Sequence, residues 1–222
     1  MPERDPTQRF TDRVADYTRF RPSYPRQAID AILDGLGEPR ALVAADVGAG
    51  TGISARLLGE RGVRVIAIEP NAAMRKGAAP HPRVQWREGT GEATGLDGSS
   101  VDLVLCAQAY HWMDPPAACA EFARVLRPGG RLALMWIDGD ESTPVAGAYY
   151  ALLRRVATDV TLSHKTAAAG PTMAAPFETM ERLTFRNVQR MDSEGLIGRA
   201  MSASYVPKTG PERDWLVGEL ST

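Results

Sequence analysis

Residues 41–60 read ALVAADVGAGTGISARLLGE. Ala41–Val47 is a short apolar run bounded by a turn, the pattern of a strand buried on both faces. Gly48, Gly50 and Gly52 follow within five residues. Apolar residues then recur at helical spacing from Ile53 to Gly59. The stretch therefore predicts strand, glycine turn, helix. A glycine cluster at such a turn lets the backbone approach a ligand or a neighbouring element closely.

Working outward, the same alternation repeats. Gln27–Leu36 places Ile29, Ile32, Leu33 and Leu36 on one helical face, and Gly35 and Gly37 end it. Val63–Ile68, Val84–Glu88, Val101–Ala107 and Arg131–Ile137 read as strands. Asn71–Ala79 and Pro116–Leu126 read as helices, and Pro128-Gly129-Gly130 as a turn. Apolar strands alternating with amphipathic helices predict an α/β fold with a doubly wound, mostly parallel sheet. Residues 139–180 break the alternation: a helix over Val145–Val160, then an Ala/Pro/Gly/Thr-rich stretch. They read as an inserted helical cover after the fifth strand. The expected organisation is one domain over 1–222. It comprises an N-terminal helical cap (1–40), a ligand-binding core (41–138), the insertion (139–180) and a C-terminal part (181–222).

Composition narrows the partners. The chain has 222 residues, 44% hydrophobic and 24% charged, with a formal net charge of −1. That is ordinary globular composition, with enough chain for a full core. A balanced charge gives no electrostatic footprint for nucleic acid. The opening MPERDPTQRF is polar, which predicts no secretory leader. No apolar run reaches bilayer length. The expectation is a cytoplasmic monomer or homodimer with neither membrane nor nucleic-acid partner. Cys106 and Cys119 sit in apolar or Ala-rich surroundings and read as buried free thiols. No metal-ligand spacing is present.

In a doubly wound sheet, ligands bind outside the carboxyl ends of the strands. The turn after the first strand lies on that edge. A dinucleotide fingerprint, G-x-G-x-x-G/A, would need a small residue at position 53, where Ile53 stands. The lysine of a P-loop is missing as well. An acid before the turn, Asp46, and an acid closing the second strand, Glu69, fit a ligand with an amino-acid part and a nucleoside part. A strand-end carboxylate can accept both ribose hydroxyls, and Asp46 can anchor an ammonium group. Glu69 is expected to lie outside the core.

These residues resemble the class I S-adenosylmethionine-dependent methyltransferases, whose fold is Rossmann-like. Asp46-Val47-Gly48-Ala49-Gly50-Thr51-Gly52 resembles their first motif. Glu69-Pro70-Asn71 with Met74 resembles the second, and Gly89-Thr90-Gly91-Glu92 the third. Val101–Val104, His111-Trp112 and Leu126–Gly130 complete the set. The likeness is nearest to the small-molecule branch that includes trans-aconitate-type and related bacterial enzymes. Tyr17–Pro25 and Ser204-Tyr205 are similar to that branch too. The resemblance implies S-adenosylmethionine as cofactor, held by Asp46, Gly48, Gly50, Thr51, Glu69, Pro70, Met74, Thr90, Gly91, Glu92, Gln108 and Arg21. It implies an acceptor pocket with Tyr17, Tyr24, His111, Trp112 and Tyr205, and His111 as candidate base. The acceptor would be a small molecule methylated at oxygen, nitrogen or a carboxylate. A protein of this fold that binds the cofactor but catalyses another reaction, or none, is the alternative.

Two departures from that pattern stand out. Thr90 replaces the aspartate that usually bonds the adenine amino group, which leaves more of that recognition to the backbone of Gly91. The family fold also closes with antiparallel sixth and seventh strands. Phe185–Met191 is the expected sixth strand, and nothing after Trp215 reads as a seventh, as in a shortened chain.

Overall fold

The computed structural model describes residues 10–157, 175–177 and 180–221. These fall into two compact units.

One unit, Ser23–Trp136 with the described part of Pro171–Asn187, carries the sheet. Its strands are β1 (Val43–Val47), β2 (Arg64–Ile68), β3 (Val84–Arg87), β4 (Val101–Ala107) and β5 (Leu126–Met135). All neighbours pair parallel, in the order β3-β2-β1-β4-β5. The order reverses between β1 and β4, so the switch point lies where those two strands end.

Period-two alternation feeds two cores. Ala44 of β1 and Leu103 and Leu105 of β4 join Ile29 and Leu33 of α2 (Arg26–Leu33) and Leu58 of α3 (Ile53–Glu60). Val47 of β1 and Val104 and Cys106 of β4 face the other way. They meet Cys119 and Phe122 of α5 (Pro115–Val125). Every residue of β1 is buried, as a central strand covered on both faces must be. Both cysteines are buried and free.

The other unit gathers described residues of Met1–Pro22, Ile137–Gly170 and Val188–Thr222. It is helical: α1 (Val14–Phe20), α6 (Pro144–Val156), α7 (Ser193–Met201) and α8 (Pro211–Leu220). Leu153, Met201, Val206 and Leu216 share its core. The ring of Phe20 lies where a Cβ on Gly198 would stand, so α1 meets α7 closely. Arg13 donates to the carbonyls of Met201, Ala203 and Val206, which satisfies the end of α7. Of the helix expected over Val145–Val160, the part through Val156 is present, and 158–160 lie outside the described residues.

Two sequence expectations fail. Phe185–Met191 is not a strand. From 181 to 190 only Phe185 is more than superficially covered, and it packs on the first core face. The rest is mostly charged or polar, and its apolar residues, Leu183, Val188 and Met191, stay exposed, so no stripe is buried. Side chains hold the segment instead: Asn187 Nδ2 donates to the Ser23 carbonyl at 2.9 Å, and Gln189 Nε2 to that of Phe20 at 3.0 Å. The other failure is the turn at Pro128-Gly129-Gly130, which lies inside β5. Val101 pairs with Leu126 and Leu103 with Arg131, so two positions on β4 face five on β5. The glycines are absorbed as an irregularity, with Gly129 at φ 79°.

Candidate functional site

The switch-point edge is built around the glycine turn. The Gly48 and Ala49 amides both donate to the Ile68 carbonyl at the end of β2, at 2.9 and 3.1 Å. Gly48 has φ 69°, and a Cβ there would collide with that of Ala109. Only glycine satisfies both conditions. α3 then starts from Gly52, itself left-handed.

Glu69 closes β2 and reaches across to the turn. Its Oε2 accepts the Gly50 amide at 2.9 Å, and its Oε1 accepts the Asn71 amide at 2.9 Å. Each oxygen keeps a lone pair for a further donor. Glu69 is 8% exposed, which corrects the expectation that it stands outside the core. Burial raises its pKa, while the two amides and Arg75 pull the other way. Arg75 braces the segment by donating to the Glu69 and Pro70 carbonyls and pairing with Glu88 at 2.8 Å. Asn71 caps α4 (Ala72–Lys76), accepting from Ala73 and Met74. Met74 is buried.

Asp46, on β1 just before the turn, is fully buried. Its Oδ2 accepts from the Ser54 hydroxyl at 2.7 Å, and its Oδ1 has no hydrogen-bond partner. Burial pushes its pKa up to about 7, against the Ser54 hydroxyl and the Ala55 amide, with the Glu69 charge adding to the rise. Thr51 Oγ1 is likewise buried without a partner. Unsatisfied buried polar atoms cost roughly 1–3 kcal/mol each, and two of them here flank one glycine turn.

The loops after β3 and β4 complete the edge. The Thr90 amide donates to the Ala93 carbonyl at 3.1 Å. Glu92 Oε1 accepts the Asp114 amide at 2.9 Å and ties the two loops together. Gln108 directly follows β4 with φ 59°, a sparsely populated conformation for a residue with a side chain. Tyr110–Trp112 forms a 3-10 turn, and the His111 and Trp112 rings lie 4.7 Å apart. Met113 follows. Its Sδ lies where a Cβ on Gly91 would stand, and its Cε would be 3.6 Å from one on Gly48.

Asp46, Gly48, Gly50, Thr51, Glu69, Pro70, Met74, Thr90, Gly91, Glu92, Gln108, His111 and Trp112 thus belong to the sheet unit, on or beside its carboxyl edge. Tyr24 belongs to it as well, partly buried against the first core face. Tyr17, Arg21 and Tyr205 belong to the helical unit. The sequence reading missed Ser54, Arg75, Ala109 and Met113. Ser54 and Arg75 sit in helices already placed, but their partners come from other elements. Met113 directly follows the His-Trp pair, which was its one available signal.

The buried acids, the partnerless Asp46 and Thr51 oxygens and the glycine cradle fit a cofactor with an ammonium group and ribose hydroxyls. Glu69 would hold the ribose and Asp46 the ammonium. Among the described residues no group of three or more His, Cys, Asp or Glu is placed to hold a metal ion. No helix among them is long and apolar enough to cross a membrane.

Comparison with known proteins agrees with this geometry. Residues 45–134 match the model of a methyltransferase domain. An uncharacterized methyltransferase of Mycobacterium tuberculosis is 38% identical over 203 residues, 91% of this chain and 79% of its own length. An uncharacterized methyltransferase-like protein of Schizosaccharomyces pombe is 36% identical over 65% of this chain and 57% of its own. A solved structure from Anaeromyxobacter dehalogenans, provisionally assigned as a type II methyltransferase, superposes with a TM-score of 0.69. It is 26% identical, over 91% of this chain and 87% of that one. The fold and the glycine-turn site define a class I methyltransferase. The chain belongs to the S-adenosylmethionine-dependent methyltransferase family.

Proposed function

We propose that the chain transfers a methyl group from S-adenosylmethionine to a small molecule, at oxygen, nitrogen or a carboxylate. The observation that carries the reading is the pair of buried acids, Asp46 and Glu69, on either side of a glycine turn at the switch point. The near-zero net charge supports a small acceptor over a nucleic acid.

When bound, the cofactor supplies a methyl group already activated on a sulfonium. The work left to the chain is alignment and exclusion of water. Glu69 would hold the nucleoside end by its ribose hydroxyls, and Asp46 the ammonium of the amino-acid end. The Gly91 backbone and Thr90 would meet the adenine, and Met74 would pack on it. Gln108, held left-handed at the end of β4, offers its backbone to the same face. Where the acceptor carries a proton, His111 takes it; a carboxylate acceptor needs no base.

A thermal-shift series tests this reading. S-adenosylhomocysteine and S-adenosylmethionine are expected to raise the Tm, and NAD is not. A ligand at a hundredfold excess over its Kd stabilises the native state by roughly 2.7 kcal/mol. A labelled-donor assay on a metabolite panel with RNA as a parallel substrate then reads the acceptor class. A shift with NAD alone, or label entering RNA and no metabolite, would sink the proposal.

A further inference from the structure

The connection between β3 and β4 has no helix of its own. Residues 88–100 are mostly glycine and small polar residues, and Leu96 is the one large apolar side chain among them. No helical stripe can be buried there. The loop is carried by α5 instead. Glu121 accepts the amide of Thr94, at 2.9 Å, and its hydroxyl. Arg124 donates to the Leu96 carbonyl at 2.7 Å and pairs with Glu121 at 2.7 Å. The turn that holds His111 and Trp112 is seated on the same helix. Tyr110 is buried, and its hydroxyl meets the Cys119 thiol at 3.3 Å. The Trp112 and Met113 amides donate to the Ala109 and Tyr110 carbonyls. Asp114 then caps α5 by accepting the Ala117 amide at 2.9 Å.

Two contacts join that turn to the loop. Glu92 Oε1 accepts the Asp114 amide at 2.9 Å. The Met113 side chain lies where a Cβ on Gly91 would stand, and Gly91 is buried. Met113 and Asp114 come directly after Trp112, and they meet the loop at the two residues that follow Thr90. The His111-Trp112 pair is therefore held from both sides. Tyr110 fixes it to the core, and Met113 and Asp114 fix it to the loop. A shift of Gly91 or Glu92 reaches the pair through one contact and one or two residues of chain.

We propose that Glu92 and Met113 are positioning residues, through which the loop after β3 sets where the His111-Trp112 pair stands. The inference rests on the methyltransferase reading for what the two segments meet: adenine on the loop and the acceptor on the pair. Glu92 then acts through the Asp114 amide, with no contact of its own to the ligand needed. A nucleoside that favours one arrangement of the Thr90–Ala93 turn, closed by its 3.1 Å amide-to-carbonyl bond, moves the pair with it. Filling the nucleoside end thereby completes one wall of the acceptor site.

Fluorine NMR on the full chain tests it, with 5-fluorotryptophan in place of the four tryptophans. Trp112→Phe identifies the Trp112 resonance. The probe is adenosine, which has the nucleoside end of the cofactor and none of the amino-acid end; S-adenosylhomocysteine is titrated in parallel. Saturating adenosine is expected to move the Trp112 resonance of the wild type. In Glu92→Ala, and further with Met113→Ala added, the shift at saturation should be about threefold smaller. Glu92→Gln keeps an oxygen for the Asp114 amide and should recover most of it. The other three indole resonances report that each variant is folded, and the single variant decides the matter if the double one is not. Three results would overturn the tie while S-adenosylhomocysteine still binds. They are a Trp112 resonance that adenosine leaves unmoved, a full shift in Glu92→Ala, or a loss in Glu92→Ala that Glu92→Gln does not recover. The last would put the Glu92 charge on the nucleoside itself. If neither adenosine nor S-adenosylhomocysteine binds, the methyltransferase reading falls and this inference falls with it.

Discussion

The Glu69 carboxylate accepts the backbone amide of Gly50 at 2.9 Å, so the end of β2 grips the glycine turn that follows β1. With the Asn71 amide on its other oxygen, this one side chain fixes both the glycine turn and the turn after β2. Its removal should therefore be felt twice. Glu69→Ala orphans two buried amides, and the Tm should fall by an amount equivalent to about 1–3 kcal/mol. Cofactor affinity should drop by about 1.5–3 kcal/mol, the scale of a hydrogen bond to a charged group. Glu69→Gln keeps one acceptor and should recover part of each. Calorimetry and melting curves on the same three proteins check this. A variant that loses stability but binds S-adenosylhomocysteine normally would reduce Glu69 to a brace.

Asp46 predicts a pH dependence of binding. Its pKa in the free fold is raised to about 7, chiefly by burial, above the ordinary value near 4. Its contribution to stability is therefore fully present below about pH 4 and is lost as pH rises through about 7. An ammonium group placed beside it favours the ionised form, so binding expels a proton. Affinity for S-adenosylhomocysteine should rise with pH up to about 7, by at most about tenfold per unit, and level off above. Calorimetry in buffers of different ionisation enthalpy reads the proton directly. Asp46→Asn keeps a partner for Ser54 and should abolish the release; persistence of the release in that variant would remove Asp46 from the ammonium site.

Much of this site was legible because its signals are local. The run from Ala41 to Glu60 states strand, turn and helix within one window, and the buried acids stand at fixed places beside it. Alternation of Ala44 with Val43 and Ala45 shows that both faces of β1 are covered. What escaped the sequence depends on partners far along the chain. Ser54 looks like any residue in the first turn of α3 until Asp46 is placed beneath it. Pro128-Gly129-Gly130 has every mark of a turn, yet β4 pairs on both sides of it and turns it into an irregularity of β5. Phe185–Met191 has one partly buried residue where a strand needs a stripe.

The glycines of the site differ in what they tolerate. A Cβ on Gly48 meets that of Ala109, which is fixed to the backbone, and the positive φ adds strain. The three atoms nearest a Cβ on Gly91 all belong to the Met113 side chain, which can swing away. Gly48→Ala should therefore cost about 1–3 kcal/mol of stability and most of the cofactor affinity. Gly91→Ala should fold nearly as well as the wild type, and adding Met113→Ala should restore whatever binding it loses. Coupling between the two substitutions, measured as a double-mutant cycle on S-adenosylhomocysteine affinity, checks this. Additive losses would show that Met113 does not press on the Gly91 turn.

His111 separates two ways of moving a methyl group. It sits on the short turn after β4 with its ring 4.7 Å from that of Trp112. If it is a base for a hydroxyl or protonated amine, His111→Ala should lower kcat by about 10²–10⁴-fold with cofactor affinity kept. The pH–rate profile should then lose its acid limb. If alignment alone drives transfer, the substitution removes a pocket wall and no proton acceptor, so it should mainly raise the acceptor's KM. The second outcome is the one expected. The donor carries its own driving force, and a carboxylate acceptor has no proton to lose at neutral pH. His111→Asn, which keeps a polar planar side chain, should then return most of the lost KM. A large fall in kcat together with a vanished acid limb would reverse the assignment and identify the acceptor as a hydroxyl or an amine.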